Sequence, residues 1–298
     1  VVILSIVAIS SSKKETAYFN NEKNTEVKNE EIKLAIKDTS TGNITNIDLD
    51  HVDYYKDIDD VIDAYREFAN NTENLVIACG DDQYTRFLDL TKPVFYYGIT
   101  EDNDIIAKEI EYSENGIHFE VEAEGNYYGT YDLPFYGKHM LLDALACISI
   151  CYYERMDFKE VSKYLKTFKG AKRRFSETVI GDNILIDDYA HHPNEVKATI
   201  KATKQKYPDK EIIAVFQPHT FSRTKEFAKD LATVLSSVNK AYVMNIHPAR
   251  EKQEDYPEVT SNLILKEMNN GFLLANDDIK PFENLKNTVI LVMSPNDL

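Results

Sequence analysis

From Gly181 onward the chain repeats one rhythm of apolar strand, polar loop and helix. The apolar runs are Ile184–Ile186, Ile212–Phe216, Ala241–Ile246, Phe272–Leu274 and Val289–Met293, with amphipathic segments near 194–207, 223–236 and 259–268. Buried strands that alternate with helices have few ways to fold, and a mostly parallel sheet with right-handed crossovers is the common one. Pro193 stands where a helix would begin, and Val196, Ile200, Thr203 and Tyr207 follow along one face.

The pattern before Gly181 is different. Residues 10–40 are polar and charged, with few apolar positions. Ile44–Ile47 then reads as a short strand, and Ile58, Val61, Ile62, Tyr65, Phe68 and Ala69 keep helical spacing behind Asp57 as N-cap. Leu75–Cys79 and Val94–Tyr97 read as strands. Alternation over 105–133, with turns at Asn115-Gly116 and Gly125-Asn126, predicts two hairpins. A strongly apolar helix follows at 141–153 and a second helix at 158–168. The expectation is an α/β protein in two parts: 1–180 with a mixed sheet, its first 40 residues weakly patterned, and 181–298 with a mostly parallel one. At 298 residues and 43% hydrophobic, the chain can fill two cores.

Fifty acidic residues against 34 basic give a net charge of −16. Such a surface repels phosphate backbones and anionic lipid, which argues against nucleic acid or membrane as partner. The nine residues Val1–Ile9, a mostly apolar run, fall short of the roughly 20 that a membrane helix needs. No basic segment precedes them as in a secretory signal. They are expected to form a buried strand of a cytoplasmic protein. The first residue is not Met, which suggests a removed or uncaptured segment. Cys79, Cys147 and Cys151 form no disulfide framework.

Ligands of parallel α/β sheets bind beyond the carboxyl ends of the strands. Three such ends run into dense polar clusters here: Asp187-Asp188-Tyr189-Ala190-His191-His192-Pro193, then Gln217-Pro218-His219-Thr220-Phe221-Ser222-Arg223-Thr224, then His247-Pro248-Ala249-Arg250-Glu251-Lys252. Each holds a histidine and two hold an arginine, all on one sheet edge. In the first part, Thr45-Asn46-Ile47-Asp48-Leu49-Asp50-His51-Val52-Asp53 sets carboxylates and a histidine after a strand. That suits a divalent ion bound to phosphate, or equally a capped helix start with solvated acids. Lys169-Gly170-Ala171-Lys172-Arg173-Arg174-Phe175 is a compact basic run between the two parts, fit for a phosphate or for solubility alone.

The same stretches carry a resemblance. Asp187 to Pro193, Phe216 to Thr224, Thr45-Asn46-Ile47 with Asp50-His51-Val52-Asp53, Lys172-Arg173-Arg174-Phe175 and Ala249-Arg250-Glu251 together resemble the Mur ligases. The nearest branch is the UDP-N-acetylmuramate–L-alanine ligases, in matching order from about residue 43 to the end. The resemblance implies part of a central ATPase domain followed by a C-terminal Rossmann-like domain. It implies ATP and Mg²⁺ as cofactors and UDP-N-acetylmuramate and L-alanine as substrates, joined through an acyl phosphate. Carried over by position, His51 resembles a metal-proximal histidine, with Glu22 as a second metal candidate upstream. Asn46, His139, Arg174 and Asp188 resemble ATP contacts. His191, His219, Arg223 and Arg250 resemble substrate contacts, and His51, His191 and His219 stand as catalytic candidates.

Three departures accompany the match. The family's Gly-x-His-Asn-x-x-Asn-Ala helix motif reads Gly137-Lys138-His139-Met140-Leu141-Leu142-Asp143-Ala144. Met cannot replace an amide, and an ionised Asp only accepts. The last strand ends Met293-Ser294-Pro295-Asn296-Asp297, where the family has two glycines. The sequence also contains no Gly-x-x-Gly-Lys-[Thr/Ser] phosphate loop, and Gly42 is the only glycine before Gly80. The 298 residues alone are therefore expected to have little or no activity. Two alternatives stay open: a non-catalytic relative that binds a nucleotide sugar or a protein, and a recycling ligase that attaches a peptide rather than L-alanine to UDP-N-acetylmuramate.

Overall fold

The computed structural model describes residues 41–275 and 278–296. Two six-stranded sheets organise them. The first has the order β1(Thr41–Ile44), β2(Leu75–Cys79), β3(Val94–Gly98), β4(Ile105–Ser113), β5(Gly116–Ala123) and β6(Asn126–Leu133). β1 to β4 pair in parallel, and the two hairpins expected over 105–133 make the antiparallel half. Side chains of β2 alternate between two cores, as the pleat requires. Val76 and Ala78 face α1(Ile58–Asn71) with Val61, Phe68 and Ala69, while Ile77 and Cys79 face α2(Lys138–Tyr153) with Leu141, Leu145 and Ile148. Asp57 caps α1 by accepting from the N–H groups of Asp59 and Asp60, both at 3.0 Å. α3(Phe158–Thr167) closes this part.

β7(Ser176–Ile180) and β8(Asn183–Asp188) open the second sheet as an antiparallel hairpin. α4(Pro193–Lys206), β9(Glu211–Phe216), α5(Phe221–Leu235), β10(Lys240–Met244), α6(Asn262–Leu265), β11(Gly271–Leu274) and β12(Thr288–Met293) follow. The order β11-β10-β9-β12-β8-β7 is parallel throughout except at β7. Val289, Leu291 and Met293 of the central β12 pack with Ala214 and Phe216 against Val196 and Ile200 of α4 and Leu231 and Leu235 of α5.

Two expectations change, and one further strand appears. The strand read at 44–47 is Thr41–Ile44, because the chain leaves the sheet after Ile44 and the Ile47 N–H donates to Asp82 Oδ2 at 3.3 Å. The helix near 259–268 shrinks to one α-turn, since bonds of Leu263 to Thr260, Glu267 to Ile264 and Met268 to Leu265 wind the flanks more tightly. β7 has no apolar alternation to announce it; four of its five residues are exposed, and it is held by its ladder to β8. The division expected at 180/181 falls in the turn of that hairpin.

α4 touches the first part at both of its ends. At its start, His192 Nε2 donates to the Leu49 carbonyl at 3.1 Å, and Asn194 donates to Asp48. Near its end, Gln205 accepts from the Gly137 N–H at 2.7 Å and donates to the Ser113 carbonyl at 2.9 Å. The helix is locked at its N-terminus by a capping box: Asn194 N–H donates to His192 Nδ1, and buried Glu195 accepts from the N–H groups of His191 and His192.

Candidate active site at the strand tips

The three polar loops after β8, β9 and β10 do share one edge of the second sheet. A row of flat groups runs along it. The Arg174 guanidinium lies 5.4 Å from the Tyr189 ring centre, Tyr189 meets His191 at 5.3 Å, His191 meets His219 at 5.2 Å, and His219 stacks on His247 at 5.7 Å. Backbone geometry fixes the last pair. His219 and His247 form an isolated parallel bridge, with His247 N–H donating to the Pro218 carbonyl at 2.8 Å and Thr220 N–H to the His247 carbonyl at 2.9 Å.

The loop after β1 closes onto this row. Asp50 and Arg223 are both buried, and Oδ1 of Asp50 accepts from Arg223 Nε at 2.9 Å and Nη2 at 2.6 Å. Arg223 Nη1 donates to His219 Nδ1 at 3.0 Å. Burial raises the Asp50 pKa, but the Arg223 charge, then His51 and the hydrogen bonds, outweigh it and hold the carboxyl down at about 2. The His219 imidazole is pushed to about 3 by burial first, and then by His191, Arg223 and His247 around it. Burial also lowers His191 against the opposing pull of Glu195. Both imidazoles are therefore neutral at physiological pH.

The remaining candidates fall around this centre. His51 follows Asp50 with φ of 51°; its side chain is half exposed and its Nε2 lies 3.9 Å from Asp50 Oδ2. Arg250 pairs with Asp53 of the same loop. Asn46 is half-buried in the segment leading into it and accepts from the Thr45 hydroxyl at 3.3 Å. His139 opens α2, and burial, with the Arg174 charge beside it, pushes its imidazole down to about 4. Glu22 lies outside the described residues. Among the described residues no group of three or more His, Cys, Asp or Glu side chains is placed to hold a metal ion. His51 has Asp50 as its one neighbouring donor among these residue types, so a Mg²⁺ ion here would take most of its ligands from phosphate and water.

Asp188 is buried and its carboxylate is already engaged. Oδ1 accepts from Ala190 N–H at 2.9 Å and from the Thr199 hydroxyl at 3.2 Å, and Oδ2 accepts from Phe175 N–H at 2.8 Å. Those bonds pin the basic run to the β8 tip. Beside it, Arg173 donates to Asp187 at 3.2 Å and to the Ser294 carbonyl at 2.8 Å. Asp188→Ala would orphan three donors at roughly 1–3 kcal/mol each at most. Chemical denaturation without nucleotide should show a loss of more than about 2 kcal/mol, whereas a carboxylate reserved for a ribose would show almost none.

Sequence reading did not single out three participants. Asp50 stands as one acid among several, and His192 and His247 as members of the strand-end polar clusters. Their importance lies in partners 143 or more residues away for His192 and Asp50, and 28 away for the His247 bridge to His219.

Comparison with known proteins identifies the family and fold that carry these residues. The model of the Mur ligase middle domain matches residues 10–151, and that of the Mur ligase glutamate ligase domain matches residues 173–297. The chain belongs to the Mur ligases and carries their middle and C-terminal domains. The first match starts ahead of the motifs, so the polar stretch from residue 10 falls inside it. The fold is similar to that of UDP-N-acetylmuramate-alanine ligase from Thermotoga maritima, at 22% identity and TM-score 0.68, over 87% of this chain and 57% of that one. It is similar to a MurF ligase from Thermotoga maritima solved with ADP, at 18% identity and TM-score 0.64, over 84% and 58%. A pseudomurein peptide ligase type C from Methanothermus fervidus matches at 19% identity and TM-score 0.68, over 89% and 63%. The chain thus spans somewhat over half the length of these proteins, and the likenesses establish the fold. No helix among the described residues is long and apolar enough to cross a membrane.

Proposed function

We propose that this chain is the middle and C-terminal portion of an ATP-dependent ligase of peptidoglycan precursor synthesis, one that joins L-alanine to the carboxylate of UDP-N-acetylmuramate. The observation that carries the reading is the convergence of His191, His219 and Arg223 with the 46–53 loop at one group of strand tips. We place the domain boundary before β7, since the β7–β8 hairpin belongs to the second sheet.

ATP would supply the γ-phosphate that converts the muramoyl carboxylate into an acyl phosphate. His139, Arg174 and Asn46 are assigned to the nucleotide, and His191, His219, Arg223 and Arg250 to the muramoyl and amino-acid side. Arg174 fits its role physically: its side chain has no hydrogen bond or ion pair among the described residues and rests on Tyr189. A guanidinium in that state is ready to pair with a phosphate. L-alanine is preferred over a peptide as acceptor because of the Asp188 to Pro193 motif.

Calorimetric titration with ADP, with and without Mg²⁺, tests the nucleotide half. Binding is expected, and Arg174→Ala should weaken it at least tenfold, about 1.4 kcal/mol; no heat under any condition would remove the nucleotide from the proposal. Phosphate release with UDP-N-acetylmuramate, ATP and Mg²⁺ tests the rest. Turnover by these 298 residues should be slow, because a phosphoryl transfer without a triphosphate cradle loses its main positioning device. Release that is faster with a free tripeptide acceptor, its N-terminal amine available, than with L-alanine would overturn the acceptor assignment.

A further inference from the structure

We propose that His191 and His219 present opposite hydrogen-bonding polarity at the strand tips: His191 a bare Nε2 that takes a proton, His219 an Nε2–H that gives a hydrogen bond, the second fixed by Asp50 through Arg223. The inference rests on the ligase reading for its chemistry and on the structure alone for its proton positions.

The proton positions follow from what each Nδ1 meets. His191 Nδ1 lies 2.9 Å from the Tyr189 carbonyl, which can only accept, so that nitrogen carries the proton. Glu195 Oε2, 3.6 Å from the same nitrogen, favours the same tautomer. A neutral His191 then has its lone pair on Nε2. His219 is the reverse. Its Nδ1 faces Arg223 Nη1 at 3.0 Å, and a guanidinium can only donate, so Nδ1 is the acceptor and the proton sits on Nε2. Neither Nε2 has a hydrogen-bond partner among the described residues, and the two rings lie 5.2 Å apart.

Asp50 makes the second tautomer durable. Its Oδ1 takes two donors of Arg223, which turns the third, Nη1, toward His219. It is a positioning residue, since it reaches His219 only through Arg223. The charged and titratable groups around the pair are Glu195, Arg223, Asp50 and His247.

The two polarities suit amide formation from an acyl phosphate. The amine nitrogen bonds to the acyl carbon, and the carbonyl oxygen gains charge that the His219 N–H can stabilise. The carbon–oxygen bond to phosphate then breaks, and phosphate leaves with the electron pair. The proton shed by the nitrogen goes to His191 Nε2.

Nitrogen-15 correlation spectra of the labelled chain at about pH 7.5, above the ordinary histidine range, read each tautomer directly and need no turnover. His191→Gln and His219→Gln variants assign the signals. The expected result is the Nδ1–H form for His191 and the Nε2–H form for His219. The reverse pattern, an averaged pair or a doubly protonated ring would overturn the proposal. Asp50→Ala should convert His219 to a mixture and leave His191 unchanged. Asp50→Asn, which keeps volume and one acceptor, should shift His219 in the same direction if the alanine variant does not fold. An unmoved His219 in a folded variant would remove Asp50 from the role. A chain with these tautomers but no affinity for nucleotide would instead count against the ligase reading.

Discussion

Arg223→Ala should lower the free energy of unfolding by about 3–5 kcal/mol, the cost of leaving a buried carboxylate without its partner. Asp50→Ala should cost a similar amount, because it strands the guanidinium. Side-chain exposures of 5% and 8% place the pair among buried ion pairs, for which removal of one member is far worse than removal of both. The double variant Asp50→Leu with Arg223→Met should therefore recover most of the loss. Urea denaturation of the three variants makes the comparison. Single-variant losses under about 1 kcal/mol would mean that solvent reaches the pair and screens it as it does at a surface.

Acid should weaken the fold well before ordinary carboxylates titrate. His219 has a folded pKa of about 3 against an unfolded value of 6.5. Between those values the unfolded chain binds a proton there and the folded chain does not. Stability is thus complete above pH 6.5 and falls as pH drops toward 3, by at most about 5 kcal/mol from this one group. The lowered His191 acts in the same direction. Asp50 contributes in a separate window: held at about 2 against 3.8, it stabilises fully above 3.8 and its contribution of about 2 kcal/mol is lost as pH falls through 2. Unfolding measured at about pH 7 and about pH 5, on either side of the unfolded histidine value, should differ clearly in the native chain, and His219→Gln should flatten the difference. Equal slopes for the two proteins would show that His219 is solvated.

Most of the framework was legible because it rests on periodicity. The five parallel strands of the second sheet stand where apolar runs stand, and Asp57 and Pro193 mark helix starts by local chemistry that the structure repeats. β7 was not legible, since an exposed edge strand needs only backbone pairing and leaves no pattern of side chains. The strand tips advertised a cleft through their histidines and arginines, yet nothing in the spacing of Asp50 distinguished it from Asp48 or Asp53. The distinction arises only when Arg223, 173 residues away, takes Asp50 and Arg250 takes Asp53. Asp188 illustrates the converse: an acid at a strand tip reads as a ligand contact, and nothing in its spacing announces the bonds it already makes to Phe175, Ala190 and Thr199.

The two attachments of α4 have a mechanical consequence. His192 and Asn194 grip one sheet's surroundings at the head of the helix and Gln205 grips them at its foot, on a rod roughly 20 Å long. A plate pinned at those two points alone would turn about the line through the pins, but Asp50–Arg223 and Asp53–Arg250 fasten it again away from α4. Any swing of the two halves around the long axis of α4 therefore has to break those two pairs.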